Sequence, residues 1–196
     1  MAAMKATPEQ HKHNAALEFL LNRRSCHQLT APGPGDEELA LMLQVAQRTP
    51  DFGHLHPYRF LAARGDGLAR LGQAMQRAAI AAGKPEKTIA RAPNMPHRAP
   101  LVIVVVATPR PDKNVPEFDQ QLCAACTVLM LQLAARSLGY GGMWRSGWAM
   151  YDESFHRELG LVEPEQIVGF LYLGTPAEAD DKAPEPTNPF DYLSWI

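Results

Sequence analysis

Apolar residues along the chain follow two periods, and each period predicts one kind of element. Apolar positions recur at helical spacing, i, i+3, i+4, in residues 17–21, 39–49 and 68–82. Residues 32–35 read Pro-Gly-Pro-Gly and separate the first two of these helices. A short strand is predicted at residues 58–63. The chain therefore begins as a mixture of helices and strands.

The most distinctive strand pattern lies in the middle of the chain. Residues 101–106 are all apolar and mostly β-branched, which is typical of a central strand covered on both faces. Residues 166–173 form a second run of this kind and are closed by Gly-Thr-Pro. Asp152 is the expected N-cap of a short helix that ends at Gly160. Both strands are predicted to lie in one core.

The longest helical pattern covers residues 115–138. Within residues 122–135 only Thr127 and Gln132 are polar, and a helix that is apolar all round has to be buried all round. These 14 residues are too few to span a bilayer. A chain of this size covers every face of such a helix with difficulty, so we expect a subunit interface there. Gly139 is expected to end the helix as its C′ glycine.

Length, composition and charge narrow the class of protein. With 196 residues and 46% apolar content the chain is long enough for one well-buried domain, expected over residues 15–196. Residues 1–14 carry no apolar run and are expected to be a flexible extension, neither a signal peptide nor an anchor. The net charge of −2 gives no basic field for nucleic acid. Without a signal peptide the protein is expected to be cytoplasmic, and three cysteines, an odd number, indicate reduced thiols.

The C-terminal residues are first polar and then apolar. After Ala177 the chain is polar and rich in proline, yet residues 190–196 read Phe-Asp-Tyr-Leu-Ser-Trp-Ile. An apolar end of this kind is expected to dock on its own core or on a neighbouring subunit.

Two distant segments carry the candidate chemistry. Arg23, Arg24 and Ser25 follow a helical turn and suit a phosphate dianion, because guanidinium groups make bidentate, charge-assisted hydrogen bonds. Residues 141–147 offer two glycines that allow close approach of a flat ring and Trp144 to exclude water, and either Arg145 or Arg24 can stabilise negative charge. A basic turn at a helix end and an ordinary core tryptophan are the alternative interpretations.

Other classes of site find less support in the sequence. There is no G-x-G-x-x-G and no P-loop lysine motif for a dinucleotide or ATP. The pairs His54/His56 and Cys123/Cys126 lack a second pair at suitable spacing, so no metal site is predicted. A serine hydrolase would need a G-x-S-x-G elbow, which is absent from the sequence.

Five motifs occur in an order that resembles a known family. They are Arg-Arg-Ser at 23–25, Arg-Thr-Pro-Asp at 48–51, His-Pro-Tyr at 56–58, Gly-Gly-Met-Trp-Arg-Ser-Gly at 141–147 and Val-Gly-Phe-Leu-Tyr-Leu-Gly at 168–174. With the apolar middle helix, this order is similar to the nitroreductase family, and most of all to its short members. The resemblance covers residues 15–192.

The resemblance implies an α+β fold, with helices flanking a mainly antiparallel central sheet, built as an intertwined homodimer. It implies two FMN sites at the subunit interface, and a C-terminal segment (177–196) that reaches the partner subunit. One subunit would contact FMN through Arg23, Arg24, Ser25, Trp144, Arg145 and Ser146, and the other through Arg48 and Phe52. The nicotinamide nucleotide is placed near Ala134, Ala135, Arg136, Ser137, Leu138 and Gly139.

The implied activity is an NAD(P)H-dependent oxidoreductase that passes two electrons through FMN, by a ping-pong mechanism, to nitroaromatic, quinone or similar acceptors. The flavin carries the chemistry, so no catalytic side chain is expected. The sequence departs from the family pattern at four positions that bear on flavin and substrate binding: His27, Gln28, Phe52 and His56. Because of these departures, a flavin-binding carrier or sensor without turnover is the alternative function.

Overall fold

The computed structural model describes residues 14–178 and 187–196, which fall into two compact units. The larger unit, Ser25–Glu178, contains the sheet and most of the helices. The smaller unit contains the remaining described residues, 14–24 and 187–196. Except for Asn14, the predicted N-terminal extension lies outside the described residues. The single domain over residues 15–196 stays a prediction.

The order of elements alternates helices with short strands. The helices are α1 Ala15–Leu21, α2 Asp36–Ala46, α3 Asp66–Ala81, α4 Glu86–Arg91, α5 Glu117–Ser137 and α6 Glu153–Glu158. The strands are β1 Leu29–Thr30, β2 Tyr58–Arg64, β3 Leu101–Ala107, β4 Gly141–Arg145 and β5 Gln166–Pro176. Turns of 3-10 helix occupy Ala92–Asn94, Pro96–Arg98, Trp148–Met150 and Pro189–Tyr192.

The sheet is antiparallel throughout the described residues. Strand β3 lies between β2 and β5, and both β1 and β4 pair with β5 on the edge opposite β3. All seven residues of β3 are buried, which confirms the prediction of a central strand covered on both faces. The expected α+β fold with a mainly antiparallel sheet flanked by helices is confirmed.

The side chains of β3 divide the core into two layers because they alternate along the strand. Val102, Val104 and Val106 face the layer that includes α3, whereas Leu101, Ile103 and Val105 face the layer built with α2 and α5. Two local predictions are confirmed as well. Gly139 follows α5 with a φ of +88°, and the carboxylate of Asp152 accepts a hydrogen bond from the Phe155 amide at 2.9 Å.

Helix α5 is buried along one side only. Nine of its residues pack inward, but Phe118, Leu122, Cys126 and Leu129 are exposed and follow helical spacing, so they form one apolar stripe. As expected, the chain by itself does not cover every face of this helix, and burial of the stripe at a subunit interface stays a prediction. By length and composition α5 passes as a membrane span, but half of that window is buried, as in the core helix of a globular protein.

An ion pair ties the edge strand β2 to the turn before β5. Arg59 donates to both carboxylate oxygens of Glu165, at 2.7 and 2.8 Å, and the Glu165 side chain is 14% exposed. The hydrogen bonds from Arg59 hold the pKa of Glu165 below 4.5, against a smaller opposing effect of burial. A carboxyl group with a lowered folded-state pKa stabilises the protein above its unfolded pKa and loses that contribution in acid.

We expect Glu165→Gln to lower the free energy of unfolding by about 1 kcal/mol at neutral pH. The difference from wild type should disappear as the pH falls through 4.5 and then through the folded-state pKa. Urea unfolding at about pH 7 and about pH 3 measures this. Glu153→Gln is the matched control, since Glu153 is 86% exposed and lies 3.6 Å from Arg157. Equal losses in both variants at neutral pH would contradict the prediction.

Candidate functional site

Strand β4 gathers the candidate residues of the larger unit at one edge of the sheet. Gly142 lies opposite Leu173 of β5, and its carbonyl oxygen accepts two hydrogen bonds. One comes from the backbone amide of Cys26 at 2.9 Å, and the other from the side-chain amide of Gln132 on α5, also at 2.9 Å. Ser25 directly precedes Cys26, so its segment runs beside the strand that carries Trp144.

The two glycines that begin β4 are needed for packing within the protein. A Cβ on Gly141 would lie 2.8 Å from Leu29 Cδ2 and 2.9 Å from Cys26 Cβ. A Cβ on Gly142 would lie 3.0 Å from Gln132 Cγ. The expectation that these glycines leave space for a flat ring is thus corrected, because protein atoms occupy the space where the side chains would be.

The indole of Trp144 lies on β5 at Gly169. Trp144 pairs with Leu171, so its side chain is on the same face as residue 169, where a Cβ would come within 2.9 Å of the indole Cδ1. Gly169 adjoins an irregularity of the β3–β5 ladder, since Val105 pairs with Gly169 and Val106 with Ile167. Trp144 keeps 37% of its surface exposed, which excludes the alternative of an ordinary core tryptophan.

Arg145 points to the opposite face of β4 and carries an unsatisfied donor. Its Cζ lies 5.5 Å from the ring centroid of Tyr172. Burial raises the pKa of Tyr172, and the guanidinium groups of Arg98 and Arg145 act in the opposite direction. The Arg145 Nε is buried and has no hydrogen-bond partner among the residues that the structure describes. A buried N–H of this kind is costly unless a ligand oxygen accepts from it.

The other predicted FMN contacts lie in the smaller unit, after the end of α2, or directly after β4. Arg23 and Arg24 belong to the smaller unit and are half-buried, whereas Arg48, which follows α2, is exposed. Phe52 is 72% exposed. Ser146, just after β4, is exposed, as are His27 and Gln28. The contacts of Arg23, Arg24, Arg48, Phe52 and Ser146 with FMN stay predictions, and so does the effect of the departures at His27 and Gln28.

The segment predicted for the nicotinamide nucleotide is the end of α5. Ala134 and Ala135 are buried in the core layer of α2 and α5, while Ser137 and Gly139 are exposed. The Ser137 hydroxyl donates to the Ala134 carbonyl oxygen at 2.8 Å. Contact of the nucleotide with this segment stays a prediction.

The described cysteines and histidines were considered in the sequence as candidate metal ligands. Cys26, Cys123 and Cys126 are free thiols, and burial raises the pKa of Cys123 to about 11. Within residues 14–178 and 187–196, no three His, Cys, Asp or Glu side chains cluster in a way that could hold a metal ion.

Sequence reasoning did not identify two residues that support this edge. Gly169 lies under the Trp144 indole, and its signal was a glycine inside an otherwise large apolar run, at 168–173. Gln132 was noted only as a polar position in an apolar helix. A buried polar side chain needs a partner, and the partner here is the Gly142 carbonyl oxygen.

Comparison with known proteins agrees with this fold and these motifs. Residues 20–175 match the profile of the nitroreductase family. A protein of Escherichia coli K12 provisionally named NAD(P)H nitroreductase YdjA is 42% identical over 175 residues, 88% of this chain and 96% of that protein. A Haemophilus influenzae protein with a similar provisional name is 32% identical over 182 residues, 92% of this chain and 99% of that protein.

Solved structures of the same fold are found at lower identity. The nitroreductase-like family protein from Bacillus cereus superposes with a TM-score of 0.78 at 24% identity, covering 99% of both chains. A Bacteroides fragilis nitroreductase with bound FMN gives a TM-score of 0.70 at 21% identity, covering 93% of this chain and 99% of that one. The chain belongs to the nitroreductase family, and the resemblance found in its sequence is confirmed.

Proposed function

We propose that this chain is an FMN-dependent NAD(P)H oxidoreductase that reduces nitroaromatic, quinone or similar acceptors by ping-pong two-electron transfer. The observation that carries the proposal is the buried Arg145 Nε, which lacks a partner among the described residues, next in sequence to the half-exposed Trp144. The indole and the guanidinium group lie on opposite faces of the edge strand β4, so a flat ring bound along this edge would meet the indole on one side of the strand and the guanidinium donor on the other. Family membership and the FMN in the Bacteroides fragilis structure point to the same ligand.

The residues that would contact FMN have different tasks in this proposal. Arg23, Arg24 and Ser25 would hold the FMN phosphate, because guanidinium groups and a hydroxyl match its oxygens. Trp144 would shield one side of the ring from water. Arg145 would stabilise negative charge on the ring by a charge-assisted hydrogen bond. When bound, FMN supplies the redox chemistry, taking two electrons from NADH or NADPH and giving them to the acceptor in a separate half-reaction.

A homodimer is part of the proposal. The side chains of Phe118, Leu122, Cys126 and Leu129 form one exposed apolar stripe on α5, which is the kind of surface that a subunit interface buries. The chain end is apolar and exposed as well, with Trp195 at 87%. A second copy would cover the stripe and bring Arg48 and Phe52 to the FMN of its partner. The free thiols and the use of nicotinamide nucleotides fit a cytoplasmic location.

The visible spectrum of the protein incubated with FMN and freed of excess flavin tests the proposal. We expect a bound flavin absorbance that bleaches rapidly when NADH or NADPH is added without oxygen, and that returns when a nitroaromatic or a quinone follows. Bound flavin that neither nucleotide bleaches would favour the alternative, a carrier or sensor without turnover. Protein that takes up no FMN would contradict both functions.

A pair of arginine variants sharpens this test. Arg145→Gln should weaken FMN binding at least about tenfold, because a charge-assisted hydrogen bond is lost from a buried site. Arg98→Gln is the matched control, since the Arg98 guanidinium group also lowers the pKa of Tyr172 but Arg98 lies outside β4. Equal FMN affinities of the two variants would remove Arg145 from the site.

A further inference from the structure

The loop between α2 and β2 has an unusual backbone. Three of its residues have left-handed φ angles, +82° at Gly53, 52° at His54 and 46° at His56. Glycine adopts this conformation freely, but non-glycine residues rarely do, and two of them in one loop indicate strain held in place by neighbours. Strain of this kind clusters at functional sites, where a fixed geometry is needed.

Asp51 makes most of the contacts that hold this loop. Its two carboxylate oxygens accept from successive backbone amides, Oδ1 from Leu55 at 3.1 Å and Oδ2 from His56 at 2.7 Å. Its carbonyl oxygen accepts from the amide of His54 at 3.2 Å. The Asp51 side chain is only 9% exposed, so these charge-assisted bonds are shielded from water. Arg110 adds a bond to the Leu55 carbonyl oxygen at 2.8 Å.

The loop presents an aromatic ring rather than burying it. Phe52 follows Asp51 directly and is 72% exposed. The next residue, Gly53, packs near the start of α5, because a Cβ on Gly53 would lie 3.4 Å from Cγ2 of Val115. The His56 side chain is 64% exposed. An apolar ring on a fixed loop loses little conformational entropy when a flat ring stacks on it, and an exposed imidazole can donate to oxygens on that ring.

We propose that Asp51 is a positioning residue: it fixes the loop of residues 51–56 so that Phe52 favours flat aromatic acceptors over small non-aromatic ones. This rests on the proposed function, in which Phe52 lies at the flavin site. Asp51 itself touches neither flavin nor acceptor; it acts through the backbone of Leu55 and His56. Because the loop is held before any ligand binds, the acceptor does not have to order it.

Asp51→Asn tests the proposal, with Asp112→Asn as its matched control. The Asp112 carboxylate also accepts two backbone amides, from Asn114 at 2.8 Å and Val115 at 3.0 Å, but its loop carries no exposed aromatic ring. In Asp51→Asn, the side-chain carbonyl oxygen can still accept one of the two hydrogen bonds. The NH₂ group faces the second backbone amide, which is also a donor, so the second hydrogen bond is lost. In Asp51→Asn we expect KM for a nitroaromatic acceptor to rise about tenfold, with kcat for ferricyanide unchanged. Asp112→Asn should change neither value.

Two further measurements separate positioning from a general loss of structure. In flavin-free protein, amide hydrogen exchange at Leu55 and His56 should become at least about tenfold faster in Asp51→Asn but not in Phe52→Leu. Phe52→Leu, a surface change, should reproduce the rise in KM for the nitroaromatic. A loosened loop with an unchanged KM, or an unchanged KM in Phe52→Leu, would overturn the proposal. If wild-type protein does not bind FMN or is not reduced by NAD(P)H, the proposed function has failed instead.

Discussion

Gly169→Ala is expected to weaken FMN binding about tenfold and to leave the fold of the flavin-free protein intact. The added methyl group would meet the Trp144 indole, with Cδ1 at 2.9 Å and Cε2 at 3.1 Å, so the ring has to leave its place on β5. The indole is partly exposed, whereas β5 is paired with other strands on both of its edges, so we expect the ring rather than the strand to move. Overpacking of this size costs about 1 to 3 kcal/mol if the indole stays. Once displaced, the indole no longer lies where the proposed site needs it, and FMN binding therefore weakens.

Quenching of flavin fluorescence on titration with protein measures this affinity. Trp144→Ala provides the control in a double-mutant cycle, because without the indole the methyl group at residue 169 has nothing to displace. We expect Gly169→Ala to have no further effect in the Trp144→Ala background. An equal loss of affinity in both backgrounds would show that Gly169 acts by another route than Trp144.

Gly72→Ala is expected to lower the free energy of unfolding by about 3 kcal/mol. Gly72 lies in α3, and a Cβ there would collide with the backbone carbonyl of Pro93, with the carbon at 2.9 Å and the Pro93 Cα at 3.0 Å. These are backbone atoms of the 3-10 turn Ala92–Asn94, which packs against α3. Backbone atoms cannot move aside as the flexible end of a side chain can. The added methyl group therefore forces α3 and the turn Ala92–Asn94 apart.

Gly67→Ala is the matched control in the same helix. Its nearest neighbours would be Arg70 Nη2 at 3.6 Å and Ala63 Cβ at 3.7 Å, which are ordinary contacts. Alanine is also the better helix former, so this variant should change stability by no more than about 1 kcal/mol, in the stabilising direction. Urea unfolding of both variants measures the difference. If Gly72→Ala is as stable as Gly67→Ala, the close approach of α3 to Pro93 is not rigid.

Much of the element pattern could be predicted because its causes are local. The spacing of apolar residues predicted α2, α3 and α5, and the run of β-branched residues predicted β3, since period and burial depend on neighbours in sequence. Strand β4 was not predicted as a strand. Its residues include Gly141 and Gly142, which have low β-propensity, and they become a strand only by pairing with residues 170–174 of β5.

For the candidate site too, some features could be predicted from the sequence and others could not. The motifs around Ser25 and Trp144 were visible in the sequence and placed the chain in its family. The reason for Gly141 and Gly142 was not visible, because it depends on Leu29, Cys26 and Gln132. Likewise, the composition of α5 showed that the helix is apolar, but it did not show which side of the helix the chain would leave exposed to solvent.

By itself, then, the sequence determined the helices with clear periods, the buried strand Leu101–Ala107, the turn at Gly139 and the family motifs. Only the tertiary structure decided that Trp144 lies on Gly169, that the Arg145 Nε is buried without a partner among the described residues, and that Asp51 holds the loop before β2. The physical reason is distance along the chain for the first two: periodicity and capping act between near neighbours, whereas strand pairing and burial join residues that only folding brings together. In the loop the residues are near neighbours, but their left-handed backbone follows no repeating pattern that a sequence displays.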